Sequence, residues 1–484
     1  MKARNFFENE CSCELFPRHG YGGQEHIETL RATVTSQKTK RISWRKDQLF
    51  KLHSWIVEHN NLISEAVRKD LRKVLDMLLT LNTIAANAFN NLDDWTKAET
   101  TLNNSAKVVR EARGLVLIVG TWDFALQSVL LPLISAIAAG NCVAVKTSDL
   151  TPNTSLLLSQ SIPRVLDNDA IKLLNLDLPQ ILNTLKFDLI YFSEPSQLST
   201  SLLSNSASVN QDTPVLQLQS GKSVTYVHSD AIIEATATRI AYAKFGINCG
   251  QSSTAPSYVL VHTESYPRPI ESTAYGRIIN RTHLQYLQTT LTNQLALPHS
   301  NLEFGGESDL THLFLEPTVV SGVTLTDPLM QYDLNGPILP ILEVGDVFDA
   351  ARIIRERGYT PVTSIYTQTP KITTPILETT HSGTLIVNDS YIHNHMHIQE
   401  RTGSWRSHIH GKYPPFASRR DVIEVVNRWS RKRLDVGGWR RFVALFLPKV
   451  WKIVVVYVAF WIGKSVGEED GWEGVLDRIR LILP

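Results

Sequence analysis

Residues 244–258 carry the side chains with the greatest potential for chemistry in this sequence. They read KFGINCGQSSTAPSY and include a thiol at Cys249 and a hydroxyl at Ser253. A thiol with a pKa of about 8.5 provides a thiolate nucleophile near neutral pH. A serine hydroxyl becomes a nucleophile only when an adjacent base takes its proton. The chemistry of this segment therefore depends on whether Ser253 has such a base.

The same segment resembles the catalytic loop of the NAD(P)-dependent aldehyde dehydrogenases, which the family writes as N-x-G-Q-T-C-x-A-P. The positions in register are Gly250, Gln251, Ala255, Pro256 and Tyr258. The nucleophilic cysteine of the family falls on Ser253. Cys249 lies four residues earlier, which displaces its sulfur by several ångströms, whereas catalysis tolerates a misplacement of about 1 Å. The resemblance therefore implies the family's fold with an altered nucleophile.

Further motifs extend the resemblance over residues 28–412, most closely to the class 3 branch, the short fatty- and aromatic-aldehyde enzymes. They are GTWDFA at 120–125, AIAAGN at 136–141, VKTSD at 145–149, SGKS at 220–223, EPT at 316–318 and NGPILP at 335–340. The family reaction oxidises an aldehyde to a carboxylic acid with NAD(P)+. The helical spacing after residue 28, followed by strands alternating with helices, predicts an α/β protein. We expect a doubly wound parallel sheet in a cofactor domain, an α/β catalytic domain and a bridging β segment.

Two further catalytic positions of the family are also substituted. The asparagine that donates to the oxyanion corresponds to Asp123, and an ionised carboxylate only accepts hydrogen bonds. The alternative is that burial protonates Asp123, which then still donates. The general-base glutamate corresponds to Leu218, and no carboxylate lies between Thr213 and Lys222. Losing one oxyanion donor typically lowers the rate by ~10²–10³ and losing a general base by ~10²–10⁴.

The cofactor positions are mixed. Lys146 and Asp149 match the family's ribose-binding pair, and Trp122 also matches. The glycine-rich phosphate turn is replaced by FSEPSQLS at 192–199, in which Ser193 and Glu194 occupy the turn. Such a turn binds pyrophosphate through closely approaching backbone N–H groups, which glycine favours. Asp333 remains at the position that reaches the nicotinamide ribose. We therefore expect weak binding of NAD or NADP.

Composition and segment boundaries complete the expectations. The 484 residues carry a formal charge of +1 and four cysteines, which favours a reducing, cytoplasmic location and gives no attraction to nucleic acid. The N-terminal residues lack the apolar stretch of a secretory signal. Histidines at 393, 395, 397, 408 and 410 have no ordered carboxylate or cysteine partners, so we expect no metal site. The predicted segments are an irregular N-terminus (1–24), a dinucleotide-binding-type domain (25–222, with bridging strands at about 98–113), a catalytic-type domain (223–398), a bridging or oligomerisation segment (399–440) and a hydrophobic tail (441–484).

The tail leaves two alternatives open. Residues 442–463 are mostly apolar, but Pro448, Lys449 and Lys452 interrupt them. The uninterrupted run from 453 to 463 is shorter than the roughly 20 residues that span a bilayer. The segment is either a buried terminal helix or an attachment to an internal membrane.

Three functional interpretations follow. The first is an active aldehyde dehydrogenase for a hydrophobic aldehyde, with a reduced or altered mechanism. The second, which the substitutions at Ser253, Leu218 and Asp123 favour, is a pseudoenzyme that acts as a binding or assembly partner. Its family resemblance implies a dimer, with itself or with an active homologue, built on strands near 105–113 and on the C-terminal segment. The third is a decaying gene, because apparent deletions near Leu71, His262 and Trp405 fall within matching elements.

Overall fold

The computed structural model describes most of the chain between residues 22 and 424. The described residues are 22–71, 77–97, 99–100, 107–108, 110–192, 209–210, 212–217, 221–262, 275–390, 405–407 and 421–424.

Helices come first and then alternate with strands. The helices are α1 (Gly22–Ser36), α2 (Ile42–Glu58), α3 (Asn60–Leu71), α4 (Met77–Thr96), α5 (Gln127–Ala139), α6 (Pro152–Val165), α7 (Leu178–Thr184), α8 (Ile233–Ala241), α9 (Arg281–Leu295), α10 (Pro328–Gln331), α11 (Val347–Glu356) and α12 (Thr373–Thr379). The strands are β1 (Glu99–Thr100), β2 (Lys107–Val108), β3 (Arg110–Ala112), β4 (Leu115–Val119), β5 (Cys142–Lys146), β6 (Ile171–Leu173), β7 (Leu189–Phe192), β8 (Val215–Gln217), β9 (Val224–Val227), β10 (Tyr258–His262), β11 (Asn301–Phe304), β12 (Ser308–Asp309), β13 (Phe314–Leu315), β14 (Thr318–Ser321), β15 (Ile338–Val344), β16 (Thr360–Tyr366), β17 (Ser382–Val387), β18 (Trp405–Ser407) and β19 (Asp421–Glu424). This alternation confirms the predicted α/β fold class.

The first sheet is parallel and has the strand order β6-β5-β4-β7-β8. Every residue of β4 and β5 is buried, which explains why both strands are apolar apart from Lys146 at the end of β5. The chain runs outward from β4 to β6 and then crosses to β7 on the other side of β4. The order therefore reverses between β4 and β7, and ligands of open α/β sheets bind outside the carboxyl ends of the strands at such a point.

The second sheet has the order β11-β14-β15-β10-β9-β16-β17-β19, and all its pairs except β11 with β14 are parallel. The motif at 244–256 lies between α8 and β10, so it reaches the amino end of a central strand. The edge strand β19 falls within residues 399–440, which we expected to bridge. That expectation is wrong for β19, because its backbone extends the second sheet beside β17.

The predicted bridging strands are short. β1 pairs with β2, its neighbour in sequence. β3 pairs with β18, which lies near the end of the described chain. Strands are present near 98–113, and their bridging role stays a prediction.

The N-terminal helices support the element that follows Asp123. Arg45 of α2 is buried and donates to the carbonyls of Thr39, Lys40 and Ala138. It lies beneath Gly140, whose φ of 86° closes α5 in the left-handed region. A guanidinium thus satisfies a carbonyl near the C-terminal end of α5 and fixes the helix against α2.

The expected irregular N-terminus is too long by three residues. α1 begins at Gly22, and the helix buries Ile27 and Leu30. Gly23 lies so close to Leu176 that a Cβ at this position would lie 2.4 Å from the leucine methyl carbon. Packing against a distant leucine, which the local sequence does not reveal, extends the helix to residue 22.

No helix among the described residues is long and apolar enough to cross a membrane. Residues 442–463 lie outside the described part of the chain, so membrane contact by the tail stays a prediction.

Candidate functional site

The loop that carries Ser253 begins with a strained turn. Asn248, Cys249 and Gly250 have consecutive φ angles of 45°, 52° and 66°. A Cβ at Gly250 would lie 2.7 Å from the Gly336 carbonyl oxygen, so this position requires glycine. Non-glycine residues in the left-handed region cost of order 1 kcal/mol each and persist where the surroundings fix them.

Gln251 holds this turn in place. Its side chain is fully buried and donates to the carbonyls of Asn248 and Arg277 at 3.1 and 3.0 Å. Its carbonyl oxygen accepts from the Ile279 amide at 2.9 Å. Gln251, which matches the motif, therefore has a structural role that does not depend on the nucleophile.

Ser253 lies on the far side of the turn and is half-buried. Its carbonyl accepts from the Ser223 hydroxyl at 2.9 Å, which joins the loop to the start of β9. The neighbouring hydroxyls of Ser252 and Thr254 bond to each other at 2.9 Å. Among the described residues, no group forms a hydrogen bond with Ser253 Oγ. Leu218, at the family's base position, lies outside the described residues.

Cys249 is the only sulfur near Ser253 in the described part of the loop, and it faces the interior. The residue is 1% exposed and packs in the apolar core. Its side chain is within hydrogen-bonding distance of the Tyr275 hydroxyl, whose pKa is well above its ordinary value chiefly because of burial. That hydroxyl also donates to the Leu315 carbonyl. The sulfur is thus placed as a core residue rather than as a displaced nucleophile.

Asp123 follows β4 and is buried. The Thr121 hydroxyl and the Phe124 amide both donate to its Oδ1. Burial nevertheless raises the pKa of Asp123 against these two hydrogen bonds. The expectation of an ionised Asp123 is therefore less consistent with the geometry than its alternative, a neutral acid that still donates.

One hydrogen bond joins Asp123 to the Ser253 loop. The buried Asn248 amide donates to the Asp123 carbonyl at 2.7 Å. The carboxyl edge of the first sheet thereby meets the amino edge of the second. This contact joins the predicted oxyanion position to the turn that precedes the predicted nucleophile position.

A small apolar cavity adjoins this corner. Its lining comes from α3, α4 and the segment after Asp123. The lining residues are Ile63, Ser64, Val67, Leu71, Leu78, Phe124, Ala125 and Leu126. Only Ser64 contributes a polar side chain, and the cavity, at about 20 Å³, has room for little more than one small group.

Aromatic residues link Trp122 to the loop that carries Asp333. The Trp122 ring lies 6.3 Å from that of His283, which stacks on Tyr286 at 5.9 Å. His283 Nε2 bonds to the Asn335 carbonyl at 2.8 Å, and Tyr286 donates to the Asp333 carbonyl at 3.2 Å. Burial lowers the pKa of His283. These contacts connect two of the predicted cofactor positions.

Lys146 and Asp149 bind each other. The Lys146 ammonium lies 2.6 Å from Asp149 Oδ1, with 9% of the lysine and 79% of the aspartate side chain exposed. Lys146 ends β5, and its carbonyl accepts from the Gly120 amide at 2.9 Å. The pair therefore lies at the carboxyl edge where a dinucleotide would bind. Its contact with a ribose stays a prediction.

Three predicted features lie outside the described residues. These are Ser193 and Glu194 of the phosphate turn and the histidines between 393 and 410. Within the described ranges, no group of three or more metal-ligating side chains is present.

Two lysines that the sequence reading did not assign a role flank the corner. Lys222 donates to the carbonyls of Leu329 and Tyr332, and burial lowers its pKa to about 8. Lys244 is 2% exposed, and burial together with nearby Lys222 lowers its pKa to about 7. Lys222 lies within SGKS, and Lys244 begins the Ser253 motif. These positions are the only features of the sequence that could have pointed to the two lysines.

The two parallel sheets and the loop between α8 and β10 are consistent with an aldehyde dehydrogenase fold. The sequence profile of the aldehyde dehydrogenase family matches residues 28–417. The chain belongs to the aldehyde dehydrogenase family.

Individual relatives point to the class 3 branch. The chain is 31% identical over 398 residues to aldehyde dehydrogenase family 3 member B1 of Bos taurus, covering 76% of this chain and 83% of the relative. It is 32% identical over 393 residues to 4,4'-diaponeurosporen-aldehyde dehydrogenase of Staphylococcus aureus, covering 75% and 84%. The substrate-bound structure of Staphylococcus aureus AldH superposes with a TM-score of 0.70 at 30% identity, covering 77% of this chain and 86% of that one.

The raised pKa of Asp123 predicts that Asp123→Asn stabilises the protein at pH 7. The folded state holds the carboxyl proton more tightly than the unfolded state, so wild-type stability falls as pH rises above the unfolded pKa near 4. An amide does not titrate, and we expect a gain on the order of 1 kcal/mol at neutral pH, as for one buried polar group. Urea unfolding between pH 4 and 8 measures it. Asp149→Asn, which changes an exposed carboxylate, is the control and should not show this gain. A loss of stability in Asp123→Asn that is equal at every pH would contradict the prediction.

Proposed function

We propose that this chain binds a hydrophobic aldehyde and, weakly, NAD or NADP, and that it oxidises the aldehyde slowly or not at all. It acts as a binding or assembly partner, alone or with an active homologue. The observation that carries the proposal is the Ser253 hydroxyl, whose Oγ has no hydrogen-bond partner among the described residues.

The missing base is decisive because of the intrinsic chemistry of serine. An alcohol at neutral pH is protonated and attacks a carbonyl only when its proton has an acceptor. The turn at 248–250 and the Gln251 contacts keep the loop in place, so the position is ordered even though its nucleophile is weak. An ordered loop with a weak nucleophile favours binding over turnover.

The ligand class follows from the cavity beside Asp123. Its lining is apolar apart from Ser64. The cavity holds only a small apolar group, so a longer hydrocarbon chain would have to displace part of this lining to bring its carbonyl group toward Asp123. A neutral Asp123 would donate to that carbonyl oxygen. A hydrophobic aldehyde meets both requirements.

The cofactor residues fit NAD or NADP in part. Trp122, Lys146 and Asp333 supply an aromatic ring, a cation and a carboxylate around the carboxyl edge of the first sheet. Bound there, the nicotinamide would supply a hydride acceptor. Lys146, however, is already paired with Asp149, and Glu194 and Pro195 occupy the phosphate turn of the sequence. These features support weak binding.

An active dehydrogenase is the second candidate, and one observation favours it. If Asp123 is neutral, the oxyanion position keeps a donor, and the loss of ~10²–10³ in rate expected for a missing donor does not apply in full. Slow oxidation would then be limited by Ser253, by the lost base at Leu218 and by weak cofactor binding.

Partners are proposed on the family's pattern. A dimer would use the bridging strands, of which β3 and β18 are paired in this chain. Membrane contact would use residues 442–463.

Activity measurements on purified wild type and Ser253→Cys test the proposal. We expect wild type to form NADH or NADPH at a rate far below that of typical enzymes (about 10 s⁻¹) with acetaldehyde, decanal and benzaldehyde. Ser253→Cys restores the thiol, and we expect faster turnover than in wild type. Fluorescence titration reports dinucleotide binding in both. Ordinary enzymatic turnover by wild type would refute the pseudoenzyme, whereas no dinucleotide binding by either protein would refute the active alternative.

Fractionation tests the tail. We expect the full-length chain to sediment with membranes and a chain truncated after Arg441 to remain in the supernatant. Recovery of the full-length protein entirely in the supernatant would remove the membrane proposal.

A further inference from the structure

The N-terminal half of α9 presents three side chains on one face toward a single loop. His283, Tyr286 and Leu287 are spaced three and four residues apart, so they lie on the same side of the helix. The loop consists of residues 333–336 and connects α10 to β15. It includes the residue predicted to reach the nicotinamide ribose, so the helix face lies against a predicted cofactor position.

Two of these side chains bond to the backbone of the loop. His283 Nε2 lies 2.8 Å from the Asn335 carbonyl oxygen, and the Tyr286 hydroxyl donates to the Asp333 carbonyl at 3.2 Å. The bonds hold the backbone of Asp333, whereas the residue itself is exposed. The carboxylate that the cofactor site requires is therefore carried by a fixed backbone at the surface.

The loop also contacts the turn before Ser253. A Cβ on Gly336 would lie 2.5 Å from a methyl carbon of Leu287, so helix and loop are in direct contact. On the other side, a Cβ on Gly250 would lie 2.7 Å from the Gly336 carbonyl oxygen. Residues 333–336 thus lie between α9 and the strained turn, and a shift of α9 would move both.

His283 reaches the first sheet as well. Its ring centroid lies 6.3 Å from that of Trp122, which follows β4, and the two rings meet edge to face at 61°. Tyr286 stacks on the same imidazole at 5.9 Å and 25°. One side chain therefore contacts both the loop that carries Asp333 and the tryptophan at the carboxyl edge of the first sheet.

The orientation of the imidazole is fixed by its hydrogen bonds. A carbonyl oxygen only accepts, so His283 Nε2 carries the proton that it donates to Asn335. The His283 backbone amide donates to the Asn280 side chain at 2.8 Å, which closes the first turn of α9. Asn335 has a φ of 42°, a conformation that persists in a non-glycine residue where the surroundings fix it. The bond from His283 is one such constraint.

We propose that His283, assisted by Tyr286, positions the nicotinamide half of a bound dinucleotide. The proposal rests on the NAD or NADP binding proposed above. The imidazole holds the Asn335 carbonyl, and with it the backbone of Asp333, at a fixed distance from Trp122. Among the described residues, the contacts of His283 do not include the Lys146–Asp149 pair, which is predicted to bind the other ribose. We therefore expect His283 to affect one half of the cofactor and not the other.

Ligand affinity distinguishes the two halves, because ADP lacks the nicotinamide and its ribose. Full-length wild type and His283→Phe are titrated with NAD+ and with ADP by calorimetry. The substitution keeps a ring but removes the donor to Asn335. We expect His283→Phe to bind NAD+ about tenfold more weakly, as for one lost hydrogen bond, and to bind ADP as wild type does.

Three further variants control for general effects. His283→Gln restores an N–H donor near the position of Nε2 and should recover most of the affinity for NAD+. Tyr286→Phe keeps the stacked ring but removes the longer bond to Asp333, so we expect a smaller loss for NAD+ and none for ADP. His381→Phe changes an exposed histidine and should leave both affinities unchanged.

Two results would overturn the proposal and leave the proposed function intact. One is an unchanged affinity for NAD+ in His283→Phe, and the other is an equal loss for NAD+ and ADP, which would show a general structural role. Failure of wild type to bind NAD+ would overturn both this proposal and the proposed cofactor binding. Should His283→Phe fail to fold, Tyr286→Phe decides, since equal ratios of NAD+ to ADP affinity in this variant and wild type would contradict the proposal.

Discussion

The hydrogen bond from the Asn248 amide to the Asp123 carbonyl is the contact on which the site depends. It is buried, 2.7 Å long, and joins the segment after β4 to the strained turn before Ser253. A single bond of this kind contributes about 1 kcal/mol. Its importance is positional, because it fixes the carboxyl edge of one sheet against the amino edge of the other. Everything proposed for ligand binding lies around this junction.

Burial at the junction changes the protonation states that the residue types suggest. Burial raises the pKa of Asp123 and lowers the pKa of Lys244 to about 7. Both shifts disfavour the charged form of the side chain. The ionic character of this corner is therefore weaker than the residue types alone suggest.

The fold was predictable where motifs and apolar runs are continuous. The strand β5, Cys142–Lys146, follows a glycine and an asparagine and is apolar up to its final lysine. The motif at 244–258 was recognisable because Gly250 and Gln251 have structural roles that do not depend on the nucleophile. The extent to which Asp123 and Lys244 are buried was not predictable, since it depends on residues distant in sequence. The edge position of β19 and the start of α1 were missed for the same reason.

The central claim is that Ser253 does not act as a nucleophile. A direct test incubates the full-length chain with decanal and NAD+ and quenches the reaction in acid. Mass spectrometry then measures the mass of the peptide that contains Ser253. We predict an unmodified serine and no NADH formed in proportion to the protein. An acyl ester on Ser253, with one NADH for each chain, would contradict the account.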